Sequence, residues 1–225
     1  MAASAMPVQG ARPRKTVLLT ANKGGVGKTT TATHIASAAA RDGLKVTLID
    51  FDPQRDAASW VEQRRGQPVP EVHLIEAEIE NYHNALVQAA DSDLIVIDTK
   101  PGIVGSGLDA MHGLARIVDL VLIPTSLSGR DLGQVIPWAG SLRKATGKYP
   151  SFLLNRIRSS VSMAEMGLVQ NALQDKGKVA PRYVRNLVEI ERFSDDGLTV
   201  LDADRAGSDD VVALWSFVKK EVELG

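Results

Sequence analysis

The chain has 225 residues, 44% of them hydrophobic and 24% charged, the balance of an ordinary globular protein and not of a disordered, collagenous or membrane chain. It contains no cysteine, which excludes a disulfide scaffold, a thiolate zinc site, a Cys nucleophile and an iron–sulfur cluster together. The formal net charge of -1, from 26 basic and 27 acidic residues, means that any nucleic-acid surface has to be a local patch. No apolar run approaches the roughly 20 residues that span a bilayer, and the N-terminus lacks the layout of a secretory signal, so a cytoplasmic protein is expected.

Residues 1 to 14 are small, Pro-containing and aperiodic, and read as a flexible leader with no assigned function. Residues 15 to 225 read as a single domain, since no repeat, low-complexity tract or Pro/Gly-rich linker divides them. Within it, short Val/Ile/Leu-rich runs recur at Thr16–Ala21, Lys45–Asp52, Val72–Glu76, Leu94–Asp98, Leu120–Pro124 and Phe152–Ile157, with helical stretches between them. Such alternation predicts βαβ units, and hence an α/β fold whose mainly parallel, twisted sheet carries helices on both faces. Ligands of such sheets sit beyond the carboxyl ends of the strands, so chemistry is sought in the residues that follow each run.

The first run leads into Asn22-Lys23-Gly24-Gly25-Val26-Gly27-Lys28-Thr29-Thr30 and then into the Ala-rich stretch Thr31–Arg41. Glycines let backbone wrap closely round a polyphosphate, a helix N-terminus aims N–H groups at it, Lys28 adds a full charge and the Thr29 hydroxyl suits Mg²⁺. Asn22 stands where the motif G-x-x-x-x-G-K-[ST] has its first glycine. The second run ends in Asp50-Phe51-Asp52-Pro53-Gln54, with both aspartates on one strand parity. Carboxylates there hold Mg²⁺ or its waters, or orient the water that attacks a γ-phosphate, and Asp52 beside Pro53 also suits a helix cap. Leu94-Ile95-Val96-Ile97 delivers Asp98 to the end of a buried strand, again a place for a Mg²⁺ shell. In Thr99-Lys100-Pro101-Gly102, which follows, Lys100 is either a solvated side chain or a positive charge beside the nucleotide or a dimer seam. Asn155 ends the Phe152 strand with an amide that offers a donor and an acceptor to the edge of adenine, although an asparagine there also suits a turn.

Between Ser141 and Arg192 there are ten basic residues against four acidic ones, a local excess of six. It reads as a positive face or as charges scattered over solvated helices. Near the C-terminus, Val211, Leu214, Trp215, Val218 and Val222 form an apolar stripe at helical spacing. The mixed charges of Lys219, Lys220, Glu221 and Glu223 favour packing on the core over a membrane surface. His34, His73, His83 and His112 are dispersed without metal-ligand spacing.

Lys23 to Thr30, KGGVGKTT, resembles the deviant Walker A loop of the ParA/MinD family of ATPases, and matches continue almost to the C-terminus. Asp50 to Gln54 resembles the family's D-x-D-P-Q segment, Leu94 to Asp98 its Walker B strand, Leu154-Asn155-Arg156 its L-N-[RK] element and Ala180 to Arg185 its I-P-R-x-x-R stretch. The resemblance implies a P-loop NTPase fold and a Mg²⁺-dependent, slow, partner-stimulated hydrolysis of ATP. Lys23, Gly24, Gly25, Val26, Gly27, Lys28, Thr29 and Thr30 would surround the phosphates, with Lys23 crossing to the partner's ATP in a nucleotide-sandwich homodimer. By the same resemblance Asp52 orients the hydrolytic water, Thr29, Asp50 and Asp98 serve Mg²⁺, and Asn155 and Pro181 contact adenine. Lys100 departs from the family's D-[TS]-P-[PA]-G, and Arg130 lies where the family makes dimer and partner contacts.

The resemblance further implies that the ATP-bound dimer grips nonspecific duplex DNA through basic residues of this region, here Arg156, Arg158, Lys176, Lys178, Arg182 and Arg185. With few aromatics for stacking, backbone contact to duplex is expected over single-strand readout. The implied role is to segregate or position a plasmid, a chromosome region or another large cargo over the nucleoid, with a ParB-like or adaptor protein whose basic N-terminal segment stimulates hydrolysis. The first strand begins almost at once, so a short ParA-type protein without an N-terminal helix-turn-helix is expected. A MinD-like ATPase that reaches membranes through the C-terminal stripe is the alternative, and a metabolic P-loop enzyme ranks last because no lid or substrate insertion is visible.

Overall fold

A computed structural model describes residues 14 to 224, so the leader, apart from Arg14, lies outside the described residues. In chain order the elements are β1 (Lys15–Leu19), α1 (Lys28–Arg41), β2 (Val46–Phe51), α2 (Asp56–Arg64), β3 (His73–Glu76), α3 (Tyr82–Gln88), β4 (Leu94–Thr99) and α4 (Ser106–Ile117). There follow β5 (Leu120–Thr125), α5 (Gly129–Thr146), β6 (Ser151–Leu154), α6 (Met163–Gln174), β7 (Lys178–Val179), α7 (Val188–Arg192) and α8 (Ser208–Glu221). The strands form one seven-stranded parallel sheet in the order β3-β2-β4-β1-β5-β6-β7.

Strand residues alternate between two cores. Val17, Leu19, Val46, Leu48, Leu94 and Val96 pack with α1, α2 and α8 on one face, while Leu18, Ile49, Ile95, Ile97 and Phe152 pack with α3 to α6 on the other. Both faces are covered, which is why every residue of β2 and β4 is buried and why the strands read as continuous apolar runs. The expected runs all become strands, with shifted ends. The first stops at Leu19, although Thr20 N still reaches Leu122 O at 3.2 Å, and the sixth stops at Leu154 because Arg156 takes a left-handed conformation. β7, two residues long, carried no apolar run to announce it.

The C-terminal stripe belongs to the core. Val211, Leu214, Trp215, Val218 and Val222 are 0–4% exposed, and Trp215 Nε1 donates to Asp42 Oδ2 at 2.6 Å at the end of α1. The five side chains that a membrane-bound helix would need are therefore already committed to the protein interior. Among the described residues no helix is long and apolar enough to cross a membrane.

A buried ion pair fastens the face that carries α1, α2 and α8. Arg64, at the end of α2, meets Asp202 bidentately at 2.8 and 3.1 Å, donates to Gly197 O and Pro70 O, and stacks on Trp60. Asp202 also accepts from Ser37 Oγ and from the N–H and hydroxyl of Thr199, each at 2.9 Å. Burial pushes the Asp202 carboxyl up, but these hydrogen bonds and the guanidinium outweigh it and leave it below the usual carboxylate range. Removing one partner of such a pair strands a buried charge, so Arg64→Met should lower the free energy of urea unfolding by about 3–5 kcal/mol. Because the folded-state pKa is depressed, the contribution of Asp202 is present above the unfolded value near 3.9 and is lost as pH falls through the folded value. Unfolding measured from pH 6 down to about pH 2 should therefore show a shallower acid limb in Asp202→Asn than in the wild type.

Candidate functional site

The loop between β1 and α1 gathers backbone at the carboxyl end of the central strands. Gly27 caps α1 in the left-handed region (φ 85°), so Lys28, Thr29 and Thr30 form the first turn of the helix, three residues ahead of the expected Thr31. Thr31 returns both its N–H (2.9 Å) and its hydroxyl (2.6 Å) to Gly27 O. A Cβ on Gly27 would stand 2.3 Å from Asn155 Nδ2, so the position admits only glycine on two counts.

Asn155 is the reason for that crowding. Buried at the end of β6, its amide donates to Val26 O at 3.0 Å and to Thr31 Oγ1 at 3.4 Å, and its Oδ1 accepts from Arg156 N at 2.9 Å. The carboxamide expected on adenine is thus placed against the back of the loop. A hollow beside it is lined by Gly27, Thr30, Asn155, Arg156, Asn186 and Leu187, with Ile190 and Arg185 completing it. Pro181, the other residue expected on adenine, is exposed and outside this lining, to which its segment contributes only from Arg185 onward, after Ile157 and Arg185 bridge.

The acidic groups stand on neighbouring strand ends. Asp50 and Asp98 are register partners across β2 and β4. Asp98 is fully buried, accepts from Thr29 Oγ1 at 2.5 Å and from Thr99 N at 3.0 Å, and is pushed up to about 7 by burial, against the Thr29 hydrogen bond and the charge of Lys28. Burial also lowers the pKa of Lys28, opposed by the charges of Asp98 and Asp52. Asp50 has a structural task as well: Oδ1 accepts from Asp52 N and Oδ2 from Ala58 N, both at 2.9 Å, so it caps the first turn of α2. Burial raises its pKa despite these bonds. Asp52, half-buried, accepts from Gln54 N through Oδ1 at 3.0 Å, and among the described residues no hydrogen bond reaches its Oδ2.

Lys23 is ion-paired with Asp131 in the first turn of α5, a residue that sequence reasoning missed in favour of its neighbour Arg130. Asp131 is 6% exposed and also accepts from Ser126 Oγ. Burial pushes its pKa up, but Lys23 and Ser126 hold it below the usual range. The signal lay in Ser128-x-x-Asp131, the start pattern of a helix, where Ser128 accepts from Asp131 N. Lys100 is exposed and lines a cleft of about 650 Å³ together with Asp50, Asp52, Arg55, Glu76 and Glu80, while Pro101 beside it abuts Gly24.

The six basic residues expected on DNA separate into three situations. Arg156 donates to Gly25 O at 2.7 Å on the phosphate loop. Lys178 and Arg185 are ion-paired with Glu221 and Asp210 of α8. Arg158, Lys176 and Arg182 are exposed and make no ion pair among the described residues.

A glycine-wrapped helix N-terminus with a buried lysine, and a threonine hydroxyl on a strand-end carboxylate, define a nucleotide-binding domain of the P-loop class. The model of the CobQ/CobB/MinD/ParA nucleotide binding domain matches residues 17–200, and the chain belongs to that family. It is 30% identical over 190 residues, 84% of either chain, to the maintenance of carboxysome distribution protein A of Gloeobacter kilaueensis. Among solved structures it superposes on apo McdA of Cyanothece (TM-score 0.72, 17% identity, 93% of this chain and 99% of the other). It also superposes on MinD of Pyrococcus horikoshii complexed with Mg-ADP (TM-score 0.76, 16% identity, 92% and 97%). Gly27→Ala should weaken nucleotide binding by more than about tenfold, read by titration with a fluorescent ATP analogue, because both backbone conformation and Asn155 oppose the added methyl.

Proposed function

We propose that the chain is an ATP-driven switch that hydrolyses Mg-ATP slowly and uses the ATP state to form a homodimer, bind duplex DNA without sequence preference and position a large cargo. The observation that carries this reading is the phosphate loop itself, with Lys28 buried, Thr29 on Asp98 and Lys23 ion-paired with Asp131 at the rim of the loop. The donors present fit Mg²⁺, a hard cation that takes oxygen ligands and keeps water and phosphate in its shell. Thr29 and Asp98 would hold it, and Asp50 would act on that shell through its neighbour, since its own oxygens serve backbone N–H groups. When bound, Mg²⁺ neutralises charge on the β- and γ-phosphates.

Lys28 and the loop N–H groups bind the phosphates, and Asp52 orients the attacking water through Oδ2, which no hydrogen bond reaches among the described residues. Lys23 exchanges Asp131 for phosphate of the partner's nucleotide. Asn155 acts on the base subsite by bracing the loop, and Pro181, exposed beyond β7, is the proposed contact of the base. Arg158, Lys176 and Arg182 are the DNA contacts we favour, because they are exposed and make no ion pair among the described residues, with Arg156, Lys178 and Arg185 supporting them from existing bonds.

The cargo is a plasmid, a chromosome region or another large body, in keeping with relatives named for carboxysome distribution and for chromosome partitioning. A ParB-like or adaptor protein with a basic N-terminal segment would stimulate hydrolysis, and the working location is the nucleoid. The expected outcome for Lys28→Ala is loss of ATP binding. Asp52→Ala should keep ATP and dimerise, seen by sedimentation, while turnover falls at least about a hundredfold; wild-type turnover in that variant would remove the mechanism.

A further inference from the structure

Arg55, three residues after Asp52, has φ 60° without being glycine. The left-handed region is unfavourable to a residue with a Cβ, and such conformations persist where their surroundings over-determine them. Glycine would take this turn freely, so what needs explaining is the arginine side chain. Its guanidinium meets Glu76 bidentately, Nε on Oε1 and Nη2 on Oε2 at 2.9 Å, and Nη2 also reaches Glu62 Oε1 of α2 at 3.0 Å. These hydrogen bonds hold the Glu76 carboxyl below its ordinary range.

Glu76 ends β3 and is the register partner of Asp50. The Arg55 N–H closes the turn on Asp52 O at 2.9 Å, and the Asp52 N–H is held by Asp50 Oδ1 at 2.9 Å. The segment that carries Asp52 is therefore tied to β2 at its start and, through one side chain, to β3 at its end. Asp52, Arg55, Glu76 and Lys100 line one cleft.

We propose that Arg55 is a positioning residue for hydrolysis, whose two-point grip on Glu76 holds the Asp52 turn in the geometry that turnover requires. The inference rests on the reading of Asp52 as the group that orients water. The ion pairs are half-exposed, so they add little to folding and are screened by salt, and their effect belongs on kcat.

Steady-state and single-turnover hydrolysis of ATP should be measured for the wild type, Arg55→Gly, Arg55→Lys, Glu76→Gln and the double variant Arg55→Gly/Glu76→Gln, at low and high salt, with melting temperatures alongside. Arg55→Gly should lose about tenfold in kcat with KM within about twofold and an unchanged melting temperature, and Arg55→Lys should lie between it and the wild type. The double variant should be no slower than Arg55→Gly alone, and high salt should slow the wild type more than Arg55→Gly. Wild-type kcat in Arg55→Gly, or additive losses in the double variant, would overturn the proposal. If Asp52→Ala is inactive while Arg55→Gly is fully active, only this inference falls; if Asp52→Ala itself turns over, the reading beneath it falls first.

Discussion

Asp98 lies next to the end of a strand in the middle of the sheet with no exposure to solvent, and the compensation of that carboxylate constrains the loop in front of it. A bare charge in such a place costs several kcal/mol, and the protein groups that offset it are the Thr29 hydroxyl, the Thr99 N–H and the charge of Lys28. Two of the three lie in the first turn of α1, so the helix has to begin within reach of β4. That requirement sets the path of residues 22 to 27, including the left-handed turn at Gly27. Asn155, reaching across from β6, holds the loop from behind and leaves its N–H groups to whatever binds in front.

The same arrangement separates rigid parts of the site from parts that can change partner. Asp98 and Asn155 are buried and hydrogen-bonded from more than one side, and Lys28 is buried beside the charges of Asp98 and Asp52. Lys23 and Asp52 are not: among the described residues one rests on the Asp131 carboxylate, and the other has an oxygen with no partner. In the proposed switch these are the two groups whose contacts depend on the nucleotide. The far end of α2 is pinned by Arg64 and Asp202, and its near end by the hydrogen bonds of Arg55 to Glu76 and Glu62.

Much of this was legible in the sequence because it depends on local rules. Four apolar residues before Asp98 meant a strand buried on both faces, and glycines before Lys28 meant a phosphate loop at a helix start. Strand ends were displaced where one backbone conformation decided them, as at Arg156. What stayed hidden was pairing between distant segments. Nothing local told that Asp131 would hold Lys23, that Asp50 would cap α2, or that α8 would take up Lys178 and Arg185 and so narrow the positive face. The bridge between Ile157 and Arg185, which decides which residues meet the hollow behind Gly27, was hidden in the same way.

The central claim, that ATP converts this fold into a DNA-gripping state, is tested most directly by binding to random-sequence duplex DNA at two salt concentrations. The wild type and Asp52→Ala would be compared without nucleotide, with ADP and with ATP. The account predicts binding only with ATP, weakened by salt and retained by Asp52→Ala. Absence of binding in every nucleotide state would contradict it.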